Sequence, residues 1–413
     1  MLSVCWHLVQ AMVVGPADSM YLGYLFDIII NSQIRVAGSD LNTKNMEKLI
    51  LFLTVIIPTN ILVLLYQHDR YIIDIKKNIG NIKPMNVSDL GKDMLFIPLE
   101  TTGDAMIREI RKVCIHNSYI FVCADNEILQ FGRSGKFIRQ IGTNGRGPEE
   151  YTFISDFCVD TNNDKLIIIA APNRIMLFDF DGVFMNSFNL AFRPVQVLPL
   201  SGNRLIFYFY NTPESGFPSW AITDNKGNVI KTFKNSIKRI SKPGFSIVQS
   251  PFYLVKDAIN VMEFGTDTLY QLKDEEKNPY AIFSFGEYKM DTDPVINLSM
   301  IREVRKSPLG KMWIPKIVEN KDFLFISIAV GITDIRMNAI FNKSTGALTF
   351  LKDNGFVNDL TRGTIFWPKG ITADGLLIDY VDAFDLLKSV IPSELRRKLN
   401  ETSNPVLMLL KPE

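Results

Sequence analysis

Histidine is the scarcest reactive side chain in this sequence, with three in 413 residues: His7, His68 and His116. The first two fall in N-terminal segments read as lying outside the folded domain, and His116 sits in a hairpin. One histidine is too few for a Ser-His-Asp hydrolase or a histidine-rich zinc site. Cysteine is almost as sparse. Cys5, Cys114, Cys123 and Cys158 contain no C-x-x-C pair, so neither a zinc ribbon nor a thioredoxin-type motif is present. Cys114, Cys123 and Cys158 lie in apolar β-type runs, where buried free thiols are the simplest state. A Cys114–Cys123 bridge is the other option, although an Asn117-Ser118 turn would pair Cys114 with Phe121 instead. Net charge is lacking as well. At +1, with only isolated basic runs at Lys238-Arg239 and Arg396-Arg397-Lys398, the chain has no electrostatic footprint for nucleic acid. P-loop, G-x-S-x-G and H-E-x-x-H patterns are absent, and no cofactor is expected.

What the chain does have is apolar residues, 47% of the total, against 22% charged. That suffices for a substantial core. One apolar run stands apart. Leu49 to Tyr66, LILFLTVIIPTNILVLLY, carries no charge, and as a helix it would span roughly 27 Å, near the thickness of bilayer hydrocarbon. Pro58 would kink it. Met46-Glu47-Lys48 directly before it has the form of a signal-sequence start, so residues 1–45 read as an extension from a misassigned start codon. With no small-x-small cleavage site after Tyr66, residues 46–67 are expected to be an uncleaved signal anchor. The main domain is then periplasmic or extracellular, joined through a linker at 68–93.

From about residue 94 the period becomes that of β-strands, and the sequence repeats. ILQFGRSGKFIRQIG (128–142) aligns without gaps on IMLFDFDGVFMNSFN (175–189), matching Gly135 to Gly182 and Phe137 to Phe184. WAITDNKGNVIKTF (220–233) and AIFNKSTGALTFL (339–351) repeat the pattern around Gly227 and Gly346. Each unit is a hairpin: an apolar strand, a polar turn whose glycine admits positive φ, and an alternating strand. Six further apolar runs begin at Tyr119, Leu166, Arg204, Ala258, Phe323 and Leu376, spaced 38 to 65 residues apart. Such spacing suits four-stranded propeller blades, whose inner strands are covered on both faces. MLFIPLET (94–101) precedes the first unit, and PVLMLLKPE (405–413) ends the chain without a partner. Pairing the two would close the ring and remove open edges. A helical insertion is expected over 382–390 and 393–399, broken at Pro392. The fold expectation is therefore all-β: a six-bladed propeller over 94–413, closed by an N-terminal strand and preceded by a hydrophobic helix.

Four stretches, FGRSGKFIRQIGTNGRGPEEY, ISDFCVDTNNDKLIIIAAPNRIMLFDFDGVF, FVNDLTRG and NPVLMLLKPE, make the chain resemble the six-bladed β-propeller family of exported bacterial proteins, relatives of the NHL-repeat propellers. The resemblance covers Met94 to Glu413. Members of that family are commonly lipid-anchored through an N-terminal cysteine, which this chain lacks at the corresponding place. The resemblance implies architecture more than activity.

Two loops are candidate ligand sites. The first is Gly142 to Tyr151, with the pattern GxxGxGPxEY; Arg146, Glu149, Glu150 and Tyr151 supply charge and an aromatic surface. The second precedes the last blade and holds Asn358, Asp359, Arg362 and Trp367. Ring closure would put both on one face. The competing expectation is that Gly142, Gly145, Gly147 and Pro148 merely shape a blade crossing. Asp160-Thr161-Asn162-Asn163-Asp164 imitates the start of a calcium loop, but Lys165 and Ala171 occupy the glycine and glutamate positions, leaving a polar turn. No catalytic residue and no metal ligand is assigned. The leading expectation is a non-catalytic propeller at the cell envelope, binding a glycan, peptide or protein. The alternative is a metal-dependent hydrolase resembling lactonase propellers, which hold one divalent ion through Glu, Asn and Asp. Three carboxylate or amide groups converging on the axis would favour the enzyme, and a mixed cationic and aromatic lining would favour binding.

Overall fold

The glycines that punctuate the repeat sit where their hairpins need them. Gly135, Gly182, Gly227 and Gly346 have φ of +88°, +79°, +88° and +69°, a region that costs an L-residue free energy but not glycine. Each joins the third and fourth strands of a blade. A computed structural model describes residues 70–209, 218–234, 245–246, 250–256, 258–273, 276–290, 295–296, 310–331 and 336–413. The expected extension at 1–45 and signal anchor at 46–67, including 49–66, lie outside the described residues. Among the described residues no helix is long and apolar enough to cross a membrane.

Six sheets follow one another along the chain, each an antiparallel meander counted here from its first, inner strand. The inner strands of blades 1 to 6 are Ile110–His116, Ile154–Asp160, Pro194–Leu200, Phe252–Val255, Met312–Glu319 and Gly370–Ile371. All six apolar runs picked out in the sequence are second strands, from Tyr119–Ala124 in blade 1 to Leu377–Val381 in blade 6. Their continuous hydrophobicity has a direct cause. In blade 2, Leu166 and Ile168 pack against Phe121 and Ile128 of blade 1, while Ile167 and Ile169 pack against Phe207 and Ala221 of blade 3. Alternate side chains thus serve opposite neighbours, and neither face can be polar.

The same accounting runs round the whole ring. Trp220 and Ile222 of blade 3 meet Ile259 and Leu272 of blade 4. Leu269 and Phe283 of blade 4 meet Ile326 and Phe341 of blade 5. Phe325 and Ile340 of blade 5 meet Leu377 and Met408 of blade 6. The sixth core joins Leu407 and Leu409 of blade 6 to Ile120, Val122 and Phe131 of blade 1. The fourth strand of blade 6 is Asp93–Pro98, which pairs antiparallel with Val406–Lys411 from Asp93 opposite Lys411 to Pro98 opposite Val406. Ile97 of that strand joins the core shared with blade 1.

The stretch 68–93, read as a linker, carries structure from Tyr71 onward. Tyr71–Asp74 adds a parallel fifth strand outside blade 4, opposite Ala281–Ser284. Ile82–Lys83 does the same outside blade 5, opposite Phe350–Leu351. Residues 71–98 therefore form a strap over the outer edges of three consecutive blades. Helical turns at Ala383–Leu387 and Ser393–Lys398 fill the expected insertion and pack through Leu386 and Leu395 on Val406. Cys114, Cys123 and Cys158 are free thiols, with Cys114 opposite Phe121 as the short turn requires.

Leu407 is fully buried between blades 6 and 1, whereas Leu95 on the closing strand is 54% exposed. Leu407→Ala is expected to lose about 2–5 kcal/mol of stability and Leu95→Ala less than about 0.5 kcal/mol. Chemical denaturation of the two variants checks the difference.

Candidate functional site

A propeller leaves the axial side of each inner strand without a strand to cover it. Unpaired amides and carbonyls there must find side chains or water. Here side chains of a neighbouring blade meet several of them. Arg111 of blade 1 donates from Nη2 to the carbonyl of Ile154 in blade 2, at 2.6 Å. Lys112 donates from Nζ to the Phe157 carbonyl at 2.7 Å and to Asp156 Oδ1 at 2.8 Å. Asp156 in turn accepts from the Val197 amide of blade 3 through Oδ2, at 3.0 Å. Blade 6 closes on blade 1 the same way, the Tyr380 hydroxyl donating to the Ile110 carbonyl at 3.1 Å.

The positions involved are related by the repeat. Pairing between the first two strands slips by a bulge in blades 1, 2, 3 and 5, and the residues that resume it are Lys112, Asp156, Gln196 and Lys316. A bulge re-aims the side chains beside it. Lys112 and Asp156 hand across to the next blade, as described. Gln196 leaves its Oε1 without a donor. Lys316 has neither an ion pair nor a hydrogen bond among the described residues. It is exposed to solvent and shares a field with Lys112 of blade 1 and Lys369 of blade 6, the arrangement of a group projecting into a wet lumen.

Electrostatics in the lumen follow. Burial opposes the charge on Lys112, but the Asp156 carboxylate more than offsets this and holds the ammonium above its usual range. Lys316 has no such partner. Desolvation, reinforced by the positive charges of Lys112, Lys369 and Arg336 and only partly countered by Asp379, lowers it to about 8. Lys369, immediately before the inner strand of blade 6, is paired with Asp379 at 2.8 Å and lies over the Tyr380 ring, 4.1 Å from its centroid. Burial raises the Asp379 carboxyl against the pull of Lys369. Burial likewise raises the thiols of Cys114, Cys123 and Cys158, which keeps them protonated and unreactive. A cleft of about 380 Å³ opens where blades 6 and 1 meet, lined by Arg108, Glu109, Lys369, Tyr380, Asp382 and Asp385 among others. Lys369 is common to the cleft and the lumen charges.

Both sequence-derived loops are crossings from an outer strand to the next inner strand, which a meander places on one face of the ring. No contact joins them. Glu150 turns back on its own loop and accepts from the Gly147 amide at 2.7 Å. Tyr151 is buried in the core between blades 1 and 2, its hydroxyl donating to the Ile141 carbonyl at 3.0 Å. Gly142, at φ +63°, is required there, because a Cβ would stand 2.8 Å from the Tyr151 ring. Arg174, which the sequence did not single out, holds the loop through the carbonyls of Gly147, Pro148 and Glu150. Arg146 and Glu149 are exposed.

In the second loop, Asn358 is buried against Met94, and its Oδ1 accepts from the Thr361 amide. Asp359 accepts from the Ser88 hydroxyl at 2.5 Å and the Ser88 amide at 3.1 Å. Desolvation works against its charge, but the Ser88 bonds prevail and lower the carboxyl. Trp367 stacks on Phe356 at an interplanar angle of 13° and donates from Nε1 to Ser327 Oγ at 3.0 Å. Arg362 is exposed at φ +54°. Three of the eight residues, Arg146, Glu149 and Arg362, thus face solvent, while Tyr151, Asn358 and Trp367 are buried. Asp160 closes its own turn through the Asn162 amide and the Asn163 side chain. Among the described residues no three His, Cys, Asp or Glu side chains come together as a metal site. The buried carboxylate Glu319 is fully engaged by Tyr253, Asn260 and Lys343.

Residues 70–411 match the family model described as domain of unknown function DUF4934, and the chain belongs to that family. Among solved structures, a Bacteroides fragilis protein described as exported is 18% identical, with a TM-score of 0.64 over 83% of this chain and 99% of its own. A member of the DUF4221 family from Bacteroides vulgatus is 12% identical, with a TM-score of 0.48 over 78% of this chain and 98% of its own. At that identity the first establishes a shared fold and nothing more. No curated protein matches.

The lumen charge has a pH signature. Lys316 releases its proton near 8 in the folded chain and near 10.5 when unfolded. Between those values the unfolded chain holds the extra proton, so stability rises with pH across the window. Lys316→Met is expected to be more stable than the parent at pH 7 by on the order of 1 kcal/mol, a figure reduced for solvent access. The gap should have narrowed to a small remainder by pH 10.5, where the folded lysine is neutral and the unfolded one half charged. Denaturant titrations at the two pH values in an uncharged-ligand buffer check it.

Proposed function

We propose that this propeller is a non-catalytic binding protein of the cell envelope, taking its ligand at the axial mouth on the face of the blade crossings. The observation that carries the reading is the composition of that mouth: Lys112, Lys316, Lys369 and Tyr380 with two carboxylates already paired to lysines. Such a lining grips and orients but offers no nucleophile and base within reach of each other. On this reading Arg146, Glu149 and Arg362 form an outer rim, while Glu150, Tyr151, Asn358, Asp359 and Trp367 shape the loops that carry them. A glycan, peptide or protein bearing a narrow terminus would fit the entry.

The hydrolase alternative asks for three oxygen ligands converging on the axis, and Asp156, the inner-strand carboxylate best placed to begin such a set, is held by Lys112 and the Val197 amide. Export and a tether through residues 49–66 belong to the same proposal, supported by the apolar run and by the described export of the Bacteroides fragilis relative in fold. So does kinship with NHL-repeat propellers, supported by the hairpin repeat. We also assign ring closure to the strand Asp93–Pro98, on the strength of its pairing and of Ile97 in the blade 6–1 core.

Glycan and peptide arrays probed with the chain and with Gln196→Trp, which narrows the lumen, test the site. Ligands found with the parent should bind the variant about tenfold more weakly or worse, at an unchanged melting temperature. Equal binding by parent and variant would place the site elsewhere. Gln196→Phe serves if the larger ring lowers the melting temperature.

A further inference from the structure

Four positions related by the repeat carry polar side chains at the axis, and one of them is a cation without a partner among the described residues. In blade 1 the lysine at this place has a carboxylate and a carbonyl. In blade 2 the aspartate has that lysine and an amide. Lys316 in blade 5 has neither among the described residues, although the adjoining inner strand, that of blade 6, offers the same kind of edge. The carboxylate whose charge acts on it, Asp379, is already taken by Lys369 at 2.8 Å and by the Trp367 amide at 2.8 Å.

Charge makes the vacancy directional. Lys112 is balanced by Asp156, and Lys369 by Asp379. Arg336, at the start of the third strand of blade 5, has no ion pair among the described residues and lies within the field of Lys316. The lumen group is thus left with Lys316 and Arg336 unbalanced. A cation that shares the field of Lys112, Lys369 and Arg336 gains from a counter-ion. A lysine rather than an arginine sets the form of the contact: a point charge with three rotatable donors, tolerant of the geometry of the anion.

We propose that the ligand of this lumen carries a carboxylate or phosphate group, which Lys316 receives and Arg336 helps to attract. The inference rests on the axial-binding reading above and adds the chemical class. A neutral saccharide or an amine-terminated peptide would leave Lys316 unpaired, so discrimination between charged and neutral versions of one ligand is built in. Because Lys316 loses its proton near 8, with Lys112, Lys369, Arg336 and Asp379 facing it, anion binding weakens as pH rises past that value.

Isothermal titration of the full chain with D-galacturonate, inorganic phosphate and neutral D-galactose at pH 7 tests this. Either anion, or both, should bind saturably and galactose should not; which of the two binds separates a carboxylate source from a phosphate source. Lys316→Met should weaken anion binding by about tenfold or more, as expected for a lost charged hydrogen bond. Lys316→Arg should restore most of it, and Lys83→Met on the exposed strap should change nothing. Anions that bind Lys316→Met as well as the parent, or fail to bind at all, overturn the inference. A neutral array ligand that is lost in Gln196→Trp but indifferent to Lys316→Met overturns the anion class and leaves the axial site standing. If no ligand responds to Gln196→Trp, the axial reading itself falls.

Discussion

Every strand in this molecule has two edges, and the ring is organised by how the uncovered ones are closed. On the outside of three of the six blades, the chain uses backbone. Residues 71–98 lay one strand each on blades 4, 5 and 6, parallel on the first two and antiparallel on the last. On the inside no strand fits, and side chains reach from blade to blade instead: Arg111 and Lys112 to blade 2, Asp156 to blade 3, Tyr380 to blade 1. These contacts bring charged groups to the axis for structural reasons. Function, on our account, uses a position where that duty is not discharged.

This arrangement separates stability from recognition. Each of the six junctions between blades holds an apolar core, to which side chains such as Trp220, Phe283, Phe325 and Leu407 contribute. The buried carboxylate Glu319 of blade 5 is satisfied by Tyr253 and Asn260 of blade 4 and by Lys343 of its own blade. A lumen lysine can therefore vary without loss of fold, as binding positions on a repeated scaffold generally can.

Much of the architecture was legible in the sequence because it rests on local signals. Second strands read as unbroken apolar runs since both faces are covered, and the hairpins read as aligned glycines since their turns need positive φ. The first two strands of the outer strap left no sequence signal, for the converse reason. Ile82–Lys83 is two exposed residues, and its pairing with Phe350–Leu351 links positions far apart in the chain, so no local pattern marks it. The candidate loops were half legible. Tyr151 and Trp367 sit in glycine- and proline-rich crossings, a context that usually exposes an aromatic, yet both are folded into blade cores. Lys316 gave no signal at all. Its place at the axis depends on a bulge, and its isolation depends on Asp379 being committed to Lys369; neither is visible before the blades are assembled.

An anomalous diffraction measurement on crystals soaked in bromide asks the central question directly: whether the axis of this propeller presents a cation with no partner. The account predicts a bromide peak in contact with Lys316 Nζ, inside the lumen, and no comparable peak at Lys112, whose charge Asp156 already holds. Peaks confined to the outer surface, with Lys316 bonded to a neighbouring inner strand, would contradict it.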